Sequence, residues 1–334
     1  MPKRGWEIRE QEATPEDVFL NRRKFLKSAG FSGLTAVGLL LGCGHERAFE
    51  PFDDRDGDLG STPPPAGGGT GDGTPARSIY PADLNAKFGA LDRPLTAESV
   101  AATYNNFYEF STGKTGIAEL AERFISEPWK VEVKGLVRKP ATYDMDDLLR
   151  TMPMEERLYR HRCVEAWAMA VPWTGFPMKS LIQAVEPTSE ARYVKMTTFL
   201  DPAIAPGQWG SPQYPWPYVE GLTMEEAMNE LTLLVTGVYG HKLPSQHGAP
   251  VRLVTPWKYG YKNIKSIVAI EFTREQPATF WNTLAPSEYD FQANVDPGIP
   301  HPRWSQASER MIGTNERRPT LKYNGYADFV ASLY

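Results

Sequence analysis

After residue 128, short stretches of the chain alternate apolar and polar side chains, which is the period of a half-buried β-strand. Residues 129–135, WKVEVKG, show this alternation most clearly. Further stretches are predicted as strands, and these are 192–199, 231–240, 250–255 and 266–272. The pattern therefore predicts a fold with several short strands.

Helical patterns are short. Residues 145–151 and 177–185 are predicted as helices, with Pro177 in the first turn, where a helix accepts proline. Thr223 and Glu226 have the spacing of a capping box at the start of another helix. No long periodic helix occurs in the sequence, and many prolines divide the remainder into loops. We therefore predict a mixed, mainly β member of the α+β class.

The composition is typical of a globular protein with a sizeable core. The chain has 334 residues, of which 41% are hydrophobic and 23% are charged. Its net charge of -5 gives no sign of nucleic-acid binding. Neither a GxxxxGK loop nor a GxGxxG turn after a strand occurs, so a nucleotide-binding loop is not predicted.

The N-terminal part resembles an export signal. Arg22 and Arg23 precede an uncharged, glycine-rich apolar run over 28–44 that is too short and too weakly hydrophobic to predict a membrane span. Twin arginines in this position are typical of a Tat signal, which exports folded proteins. We assign residues 1–43 to this signal and therefore expect a periplasmic protein.

Two interpretations of Cys43 stay open. The sequence LLGC over 40–43 resembles a lipobox, which predicts acylation of Cys43 and attachment to the membrane. The alternative is a plain signal that is cleaved near Ala48. The residues that follow, 44–80, are rich in Pro, Gly, Ser and Thr and are predicted to be a flexible linker. The folded domain is predicted over 81–334.

Cys163 is the second of the two cysteines and follows the basic residues Arg160, His161 and Arg162. Cations near a thiol favour the thiolate, the form that attacks electrophiles and binds metals. A buried, inert cysteine explains the sequence equally well. Zinc needs about four ligands, and no CxxC or HExxH supplies them. A single thiolate suits a cofactor that brings most of its own ligands.

A basic segment lies further along the chain. His247, Arg252, Lys258, Lys262 and Lys265 fall on a predicted turn and loop around a strand. A solvated surface is the plain interpretation of such a run. Here, however, the cations alternate with aromatic residues and stand beside glycines. Arginine, lysine and glycine-flanked amides together suit a phosphate or pyrophosphate group.

The cysteine and the basic segment together resemble the molybdenum sulfite-oxidase superfamily. The closest similarity is to one of its branches, the periplasmic methionine-sulfoxide reductase catalytic subunits. The motifs that carry it run in order through the chain, at 104–110, 162–167, 171–177, 216–222, 256–267, 301–307 and 324–327. In this branch we expect Asn where the chain has His247, but either side chain can donate a hydrogen bond.

The resemblance implies a site and a set of partners. Cys163 would bind the metal of one Mo-molybdopterin, and Asn106 and Glu165 would face the metal and the substrate. The residues implied for the pterin and its phosphate are Asn105, Tyr108, Glu109, Thr198, His247, Arg252, Asn263, Ile264 and Lys265. A buried strand hydroxyl is nearly as good an interpretation of Thr198, and a salt bridge to Arg162 or another cation is an equally good interpretation of Glu165. The family also implies a monomeric catalytic subunit, oxidised periplasmic proteins as substrates and a haem-containing membrane electron donor. The sequence has no CxxCH for a haem of its own.

Other functions remain as alternatives at this stage. A sulfite or other S- or N-oxide oxidoreductase has the same fold, and a cofactor-free exported binding lipoprotein is the non-enzymatic alternative. Sulfite-oxidising relatives place arginines after the ligand cysteine, whereas this chain has Val164, Glu165, Ala166 and Trp167. We therefore predict a pocket that disfavours the sulfite dianion because of the Glu165 charge and accepts a neutral sulfoxide.

Overall fold

The computed structural model describes residues 79–334. The predicted signal over 1–43 and all but the last residues of the predicted linker over 44–80 lie outside the described residues. None of the helices from residue 79 onward is long and apolar enough to cross a membrane.

Strands in two sheets carry the fold. Their bounds, in chain order, are β1 Lys130–Gly135, β2 Ala141–Asp144, β3 Glu155–Arg162, β4 Trp167–Pro177, β5 Tyr193–Thr198, β6 Val219–Thr223, β7 Leu233–Val238, β8 His241–Lys242, β9 Arg252–Val254, β10 Ile267–Thr273, β11 Ser308–Met311 and β12 Arg317–Pro319.

One sheet has five strands in the order β2-β1-β10-β5-β6. β1 and β10 run parallel, with Val133 beside Ile270, and the other neighbours are antiparallel. The other sheet has seven strands, with the path β12-β11-β4-β7-β8 and with β3 on β4 and β9 on β7. The structure is therefore α+β and mainly β, as predicted.

The helices are short and lie between the strands. Their bounds are α1 Glu98–Thr103, α2 Ile117–Leu120, α3 Met145–Thr151, α4 Met178–Val185, α5 Pro206–Gly210, α6 Met224–Met228, α7 Phe280–Leu284 and α8 Ala327–Val330. Single 3-10 turns occupy Ala86–Phe88, Ser245–His247, Gly260–Lys262, Lys322–Gly325 and Ala331–Leu333.

Local patterns explain two of these helices. In α4, Met178, Leu181, Ile182 and Val185 form one buried stripe, because residues three and four apart share a helix face. Pro177 is the residue before the helix and not part of its first turn, so that detail of the prediction is wrong. The predicted capping box at α6 is confirmed, since Thr223 and Glu226 exchange their hydrogen bonds.

The predicted strands all correspond to observed ones, namely β1, β5, β7, β9 and β10. The sequence patterns did not predict β3 and β4, the two strands that flank Cys163. Every residue of β4 is buried, so the strand has no polar face and no alternation to detect. β3 and β4 pair antiparallel from Glu155–Gly175 to Arg162–Ala168, and this pairing carries Cys163 to the end of a hairpin.

Candidate active site

Cys163 lies in a tight turn between β3 and β4. The Cys163 amide donates to the Trp167 carbonyl oxygen at 2.9 Å, and the Ala166 amide donates to the Cys163 carbonyl oxygen at 3.1 Å. Ala166 adopts a left-handed φ of 62°, which lets the chain reverse direction. The Cys163 thiol points into a cavity and accepts from the Glu165 amide at 3.4 Å and from Asn106 Nδ2 at 3.3 Å.

Residues far along the chain hold this turn from outside. The Val164 carbonyl oxygen accepts from Trp304 Nε1 and from Gln306 Nε2, both at 2.7 Å. Arg162 is fully buried, forms an ion pair with Glu309 at 3.2 Å and donates to Gln306 Oε1 at 2.8 Å. Because the backbone carbonyl beside Cys163 has two donors, the direction of the turn is fixed.

The environment of Cys163 does not favour an ionised thiol in the protein alone. Burial raises the pKa of Cys163 to about 12, and the Glu165 carboxylate adds to the rise, while Lys114 and Arg162 oppose it. Arg162 therefore favours the thiolate, as expected, but burial outweighs it, and Arg160 does not contribute because its side chain turns to Asp92 and to the Asn324 carbonyl oxygen. A metal cation bound to the sulfur would supply the positive charge that ionises such a thiol.

Glu165 stands beside the thiol, with Oε2 3.8 Å from Sγ. The turn between β3 and β4 produces this proximity. Trp167 Nε1 donates to Oε2 at 3.1 Å, and Lys114 Nζ lies 2.9 Å from Oε1. The carboxylate is thus paired with a cation, which is the salt-bridge interpretation of Glu165, and its partner is Lys114 and not Arg162.

One wall of the cavity is basic, and Arg252, Lys265 and His247 line it. Arg252 and His247 are buried, and Lys265 is partly buried. Arg252 donates to the carbonyl oxygens of His247 at 2.9 Å and Asn263 at 3.3 Å, and burial lowers its pKa to about 9. Lys265 Nζ donates to the Asn106 carbonyl oxygen. Burial lowers the pKa of Lys265 as well, and the neighbouring Arg252 lowers it further.

Backbone geometry keeps this wall open. Gly248 has a φ of 95°, a left-handed conformation that suits glycine. A Cβ on Gly248 would lie 2.5 Å from Lys265 Cβ, so a larger residue would displace the lysine. The two imidazoles of the cavity, His161 and His247, are neutral, because burial lowers the pKa of each to about 3 and Arg252 adds to the effect.

Glu109 and Thr198 form the edge of the site. Burial raises the pKa of Glu109 to about 7, and the charge of Lys265 and the neighbouring Thr198 hydroxyl oppose that rise. Thr198 ends β5, and its hydroxyl donates to the Ser266 carbonyl oxygen at 3.2 Å. Thr198 does not line the cavity, so its contact with the site runs through Glu109.

All the other residues predicted for the site line one cavity, and these are Asn105, Asn106, Tyr108, Glu109, Cys163, Glu165, His247, Arg252, Asn263, Ile264 and Lys265. The cavity encloses about 990 Å³ of space without atoms, including the solvent at its entrance. Two lysines of the basic segment serve another purpose. Lys258 pairs with Glu226, and Lys262 pairs with Glu220 at 3.0 Å, all of them buried.

Several lining residues were not predicted, and most of them are aromatic. Among them are His161, Trp173, Tyr218, Tyr261, Trp281 and Tyr289. Tyr261 lies inside the 256–267 motif, so the motif could have indicated it. Trp281 and Tyr289 belong to no quoted motif. Their ring centres lie 4.9 Å apart, and with Tyr108 and Trp304 they surround the mouth of the cavity.

The donor set limits which cofactor fits. Among residues 79–334, no group of three or more His, Cys, Asp or Glu side chains could hold a metal ion. A metal at Cys163 would therefore need a cofactor that brings further ligands. Arg252, a buried cation without a carboxylate partner, lines the same cavity as a single thiol, and this pair of groups fits a molecule that carries both a phosphate and a metal.

Comparison with known proteins agrees with this geometry. The family model described as the oxidoreductase molybdopterin binding domain matches residues 119–281. The chain is 47% identical to the protein-methionine-sulfoxide reductase catalytic subunit MsrP of Burkholderia mallei (strain ATCC 23344), across 99% of this chain and 94% of that protein. The chain belongs to the MsrP family. The resemblance inferred from the sequence motifs is thus confirmed.

In this chain, the matched residues 119–281 include Cys163, Glu165 and the basic wall. The segment Asn105–Glu109, which also lines the cavity, lies before the matched residues. Among solved structures, the sulfane dehydrogenase SoxCD from Paracoccus pantotrophus is 18% identical, with a TM-score of 0.39 over 49% of this chain and 41% of that chain.

Proposed function

We propose that the protein is a molybdenum-dependent protein-methionine-sulfoxide reductase in which Cys163 binds the metal. The single observation that carries the proposal is that Cys163, Asn106 and Glu165 line one cavity together with the cations Arg252 and Lys265. The 47% identity with an MsrP catalytic subunit along nearly the whole chain supports the reaction.

The residues present fit Mo-molybdopterin, one per chain. Cys163 would hold the metal, and Arg252, Lys265 and His247 would bind the phosphate end. The pterin would contact Asn105, Tyr108, Glu109, Asn263 and Ile264, which line the same cavity. A second observation supports the fit, since Asn106 Oδ1 is buried and has no hydrogen-bond partner among the described residues. When bound, the cofactor supplies two-electron redox chemistry for oxygen-atom transfer from sulfur.

The chain's own residues would bind and orient the substrate. The reaction converts a sulfoxide, two electrons and two protons into a thioether and water. Asn106 Nδ2 is a donor at the thiol and can reach the oxygen of a sulfoxide bound in front of it. Glu165 holds Asn106 and the Trp167 indole in place. The rings of Tyr108, Trp281 and Tyr289 would enclose the methyl group and exclude water.

The physiological setting extends the proposal. We infer export to the periplasm through the twin-arginine signal, repair of oxidised methionine in exported proteins and electron supply from a haem-containing membrane partner. The catalytic subunit would act as a monomer. We also propose that an acylated Cys43 attaches the protein to the membrane. Mass spectrometry of the mature N-terminus tests this attachment. A first residue beyond 43 would exclude this attachment.

Elemental analysis joined to an activity assay tests the central proposal. The purified protein should contain about one molybdenum per chain and oxidise reduced viologen with methionine sulfoxide, and it should oxidise sulfite poorly. Protein without molybdenum would favour the binding-lipoprotein alternative. Efficient sulfite oxidation with no sulfoxide reduction would favour the sulfite-oxidoreductase alternative.

A further inference from the structure

Both carboxylate oxygens of Glu165 have partners. Oε1 pairs with Lys114 Nζ at 2.9 Å, and Oε2 accepts from Trp167 Nε1 at 3.1 Å and from Asn106 Nδ2 at 3.5 Å. The Glu165 side chain lines both the cavity and its mouth, whereas Lys114 lines neither. The lysine therefore does not border the substrate space itself, and its closest charged contact there is the Glu165 carboxylate.

One loop supplies two of the groups that contact Glu165. The Asn105 amide donates to the Lys114 carbonyl oxygen at 2.8 Å, so the backbone of Lys114 is tied to the segment that carries Asn106. Lys114 Nζ also lies 5.5 Å from the centre of the Tyr108 ring. The side chains of Lys114 and Glu165 are 24% and 30% exposed, so water screens the pair only in part.

Charge at the mouth is balanced in a second place as well. The charged side chains that line the mouth are Glu165 and Arg303. Arg303 Nη2 pairs with Glu288 Oε2 at 2.6 Å, in the same manner as Glu165 pairs with Lys114. A space bordered by cancelled charges offers an anion nothing to replace its hydration shell, whereas a neutral dipole loses little on entry.

We propose that Lys114 is a positioning residue that determines specificity, because its pairing with Glu165 cancels the carboxylate charge and makes the substrate space selective for neutral sulfoxides. The inference rests on the proposed function. Rejection of anions then comes from the absence of a compensating cation, and not from repulsion by Glu165. Removal of the Lys114 charge should leave the space with a net negative charge, and removal of the Glu165 charge should leave it with a net positive charge.

Four molybdenum-loaded proteins test this balance, namely wild type, Lys114→Met, Glu165→Gln and the double variant. Calorimetry measures the binding of sulfate, an inert dianion. Glu165→Gln leaves Lys114 unpaired and should tighten sulfate binding about tenfold, and Lys114→Met should weaken it by a similar factor. The double variant should return to within about threefold of wild type. KM for dimethyl sulfoxide, a neutral substrate, should change much less than sulfate affinity in Lys114→Met.

Lys195→Met is the matched control, since Lys195 pairs with Glu271 at 3.1 Å, is similarly exposed and does not line the cavity. It should bind sulfate as wild type does. Equal sulfate affinity in all four test proteins, including no binding by any of them, would overturn the proposal, as would a double variant that behaves like Glu165→Gln. Calorimetry needs no turnover, so failure to reduce sulfoxides would count against the proposed function alone.

Discussion

The guanidinium of Arg252 lies over the ring of Trp173, 5.0 Å from its centre, and no carboxylate among residues 79–334 pairs with it. A buried cation without a counter-ion is unfavourable in the empty protein and becomes favourable when an anion binds. The Arg252 site is therefore built for a ligand and not for stability.

The variant Arg252→Met should separate the contribution of Arg252 to cofactor binding from its contribution to stability. A hydrogen bond to a charged group contributes about 1.5–3 kcal/mol, so molybdenum content should fall about tenfold or more. The melting temperature of the cofactor-free protein should stay the same or rise. Metal analysis and thermal unfolding measure the two effects, with the exposed Arg192→Met as the control. Full molybdenum content in Arg252→Met would contradict the phosphate assignment.

Cys163→Ser should abolish sulfoxide reduction while the fold survives. A serine oxygen can accept the hydrogen bonds from Asn106 and the Glu165 amide that the sulfur accepts now. It is a poor replacement for a soft thiolate at a metal. Circular dichroism and thermal unfolding check the fold, and the viologen assay checks turnover. Wild-type activity in Cys163→Ser would refute the ligand assignment.

Lys258, unlike Arg252, should contribute to the stability of the cofactor-free protein. Its ammonium group is buried against Glu226, Asn294 and the Tyr334 hydroxyl, so it completes a network of the folded protein. Lys258→Met should destabilise the protein by about 3–5 kcal/mol, because it leaves the buried Glu226 carboxylate unpaired. Urea unfolding of the cofactor-free protein measures this loss. Adding Glu226→Gln should recover part of it, and an unchanged unfolding free energy in Lys258→Met would contradict the role of the network.

Asp92 should contribute to stability against acid. Its hydrogen bond from Arg93 lowers the pKa of Asp92 from 3.8 to about 2, with a further contribution from Arg160. Since the folded state binds this proton less readily than the unfolded state, the contribution is fully present above pH 3.8 and is lost as the pH falls towards 2. Asp92→Asn should therefore be less stable than wild type at neutral pH and equal to it near pH 2. A difference in unfolding free energy that does not vary between pH 5 and about 2 would argue against this pairing.

The sequence predicted more of the site than of the strands that carry it. Cys163, Glu165 and the Asn105–Glu109 segment were found because an ordered set of motifs resembles one family. β4 was not found, because a strand that is buried on both faces has no alternation. The basic segment shows a further limit. Arg252 and Lys258 look alike in sequence, but only the structure shows that Arg252 faces the cavity and Lys258 faces a buried glutamate.

Lys114 was missed for a related reason. Its pairing with Glu165 joins residues 51 positions apart, on a loop that has no regular period. The sequence therefore indicated an acidic pocket, and the charge that cancels it became evident only when the two loops were placed together.

The two donors to the Val164 carbonyl oxygen, Trp304 and Gln306, stand 140 and 142 residues further along the chain. Contacts of such high contact order form late in folding. A nascent chain that ends after β10 contains every strand of the five-stranded sheet, but the turn that presents Cys163 still lacks both supports. Under the proposed cofactor binding at Cys163 and the proposed export, cofactor loading would therefore require the C-terminal segment and would distinguish finished molecules from unfinished ones.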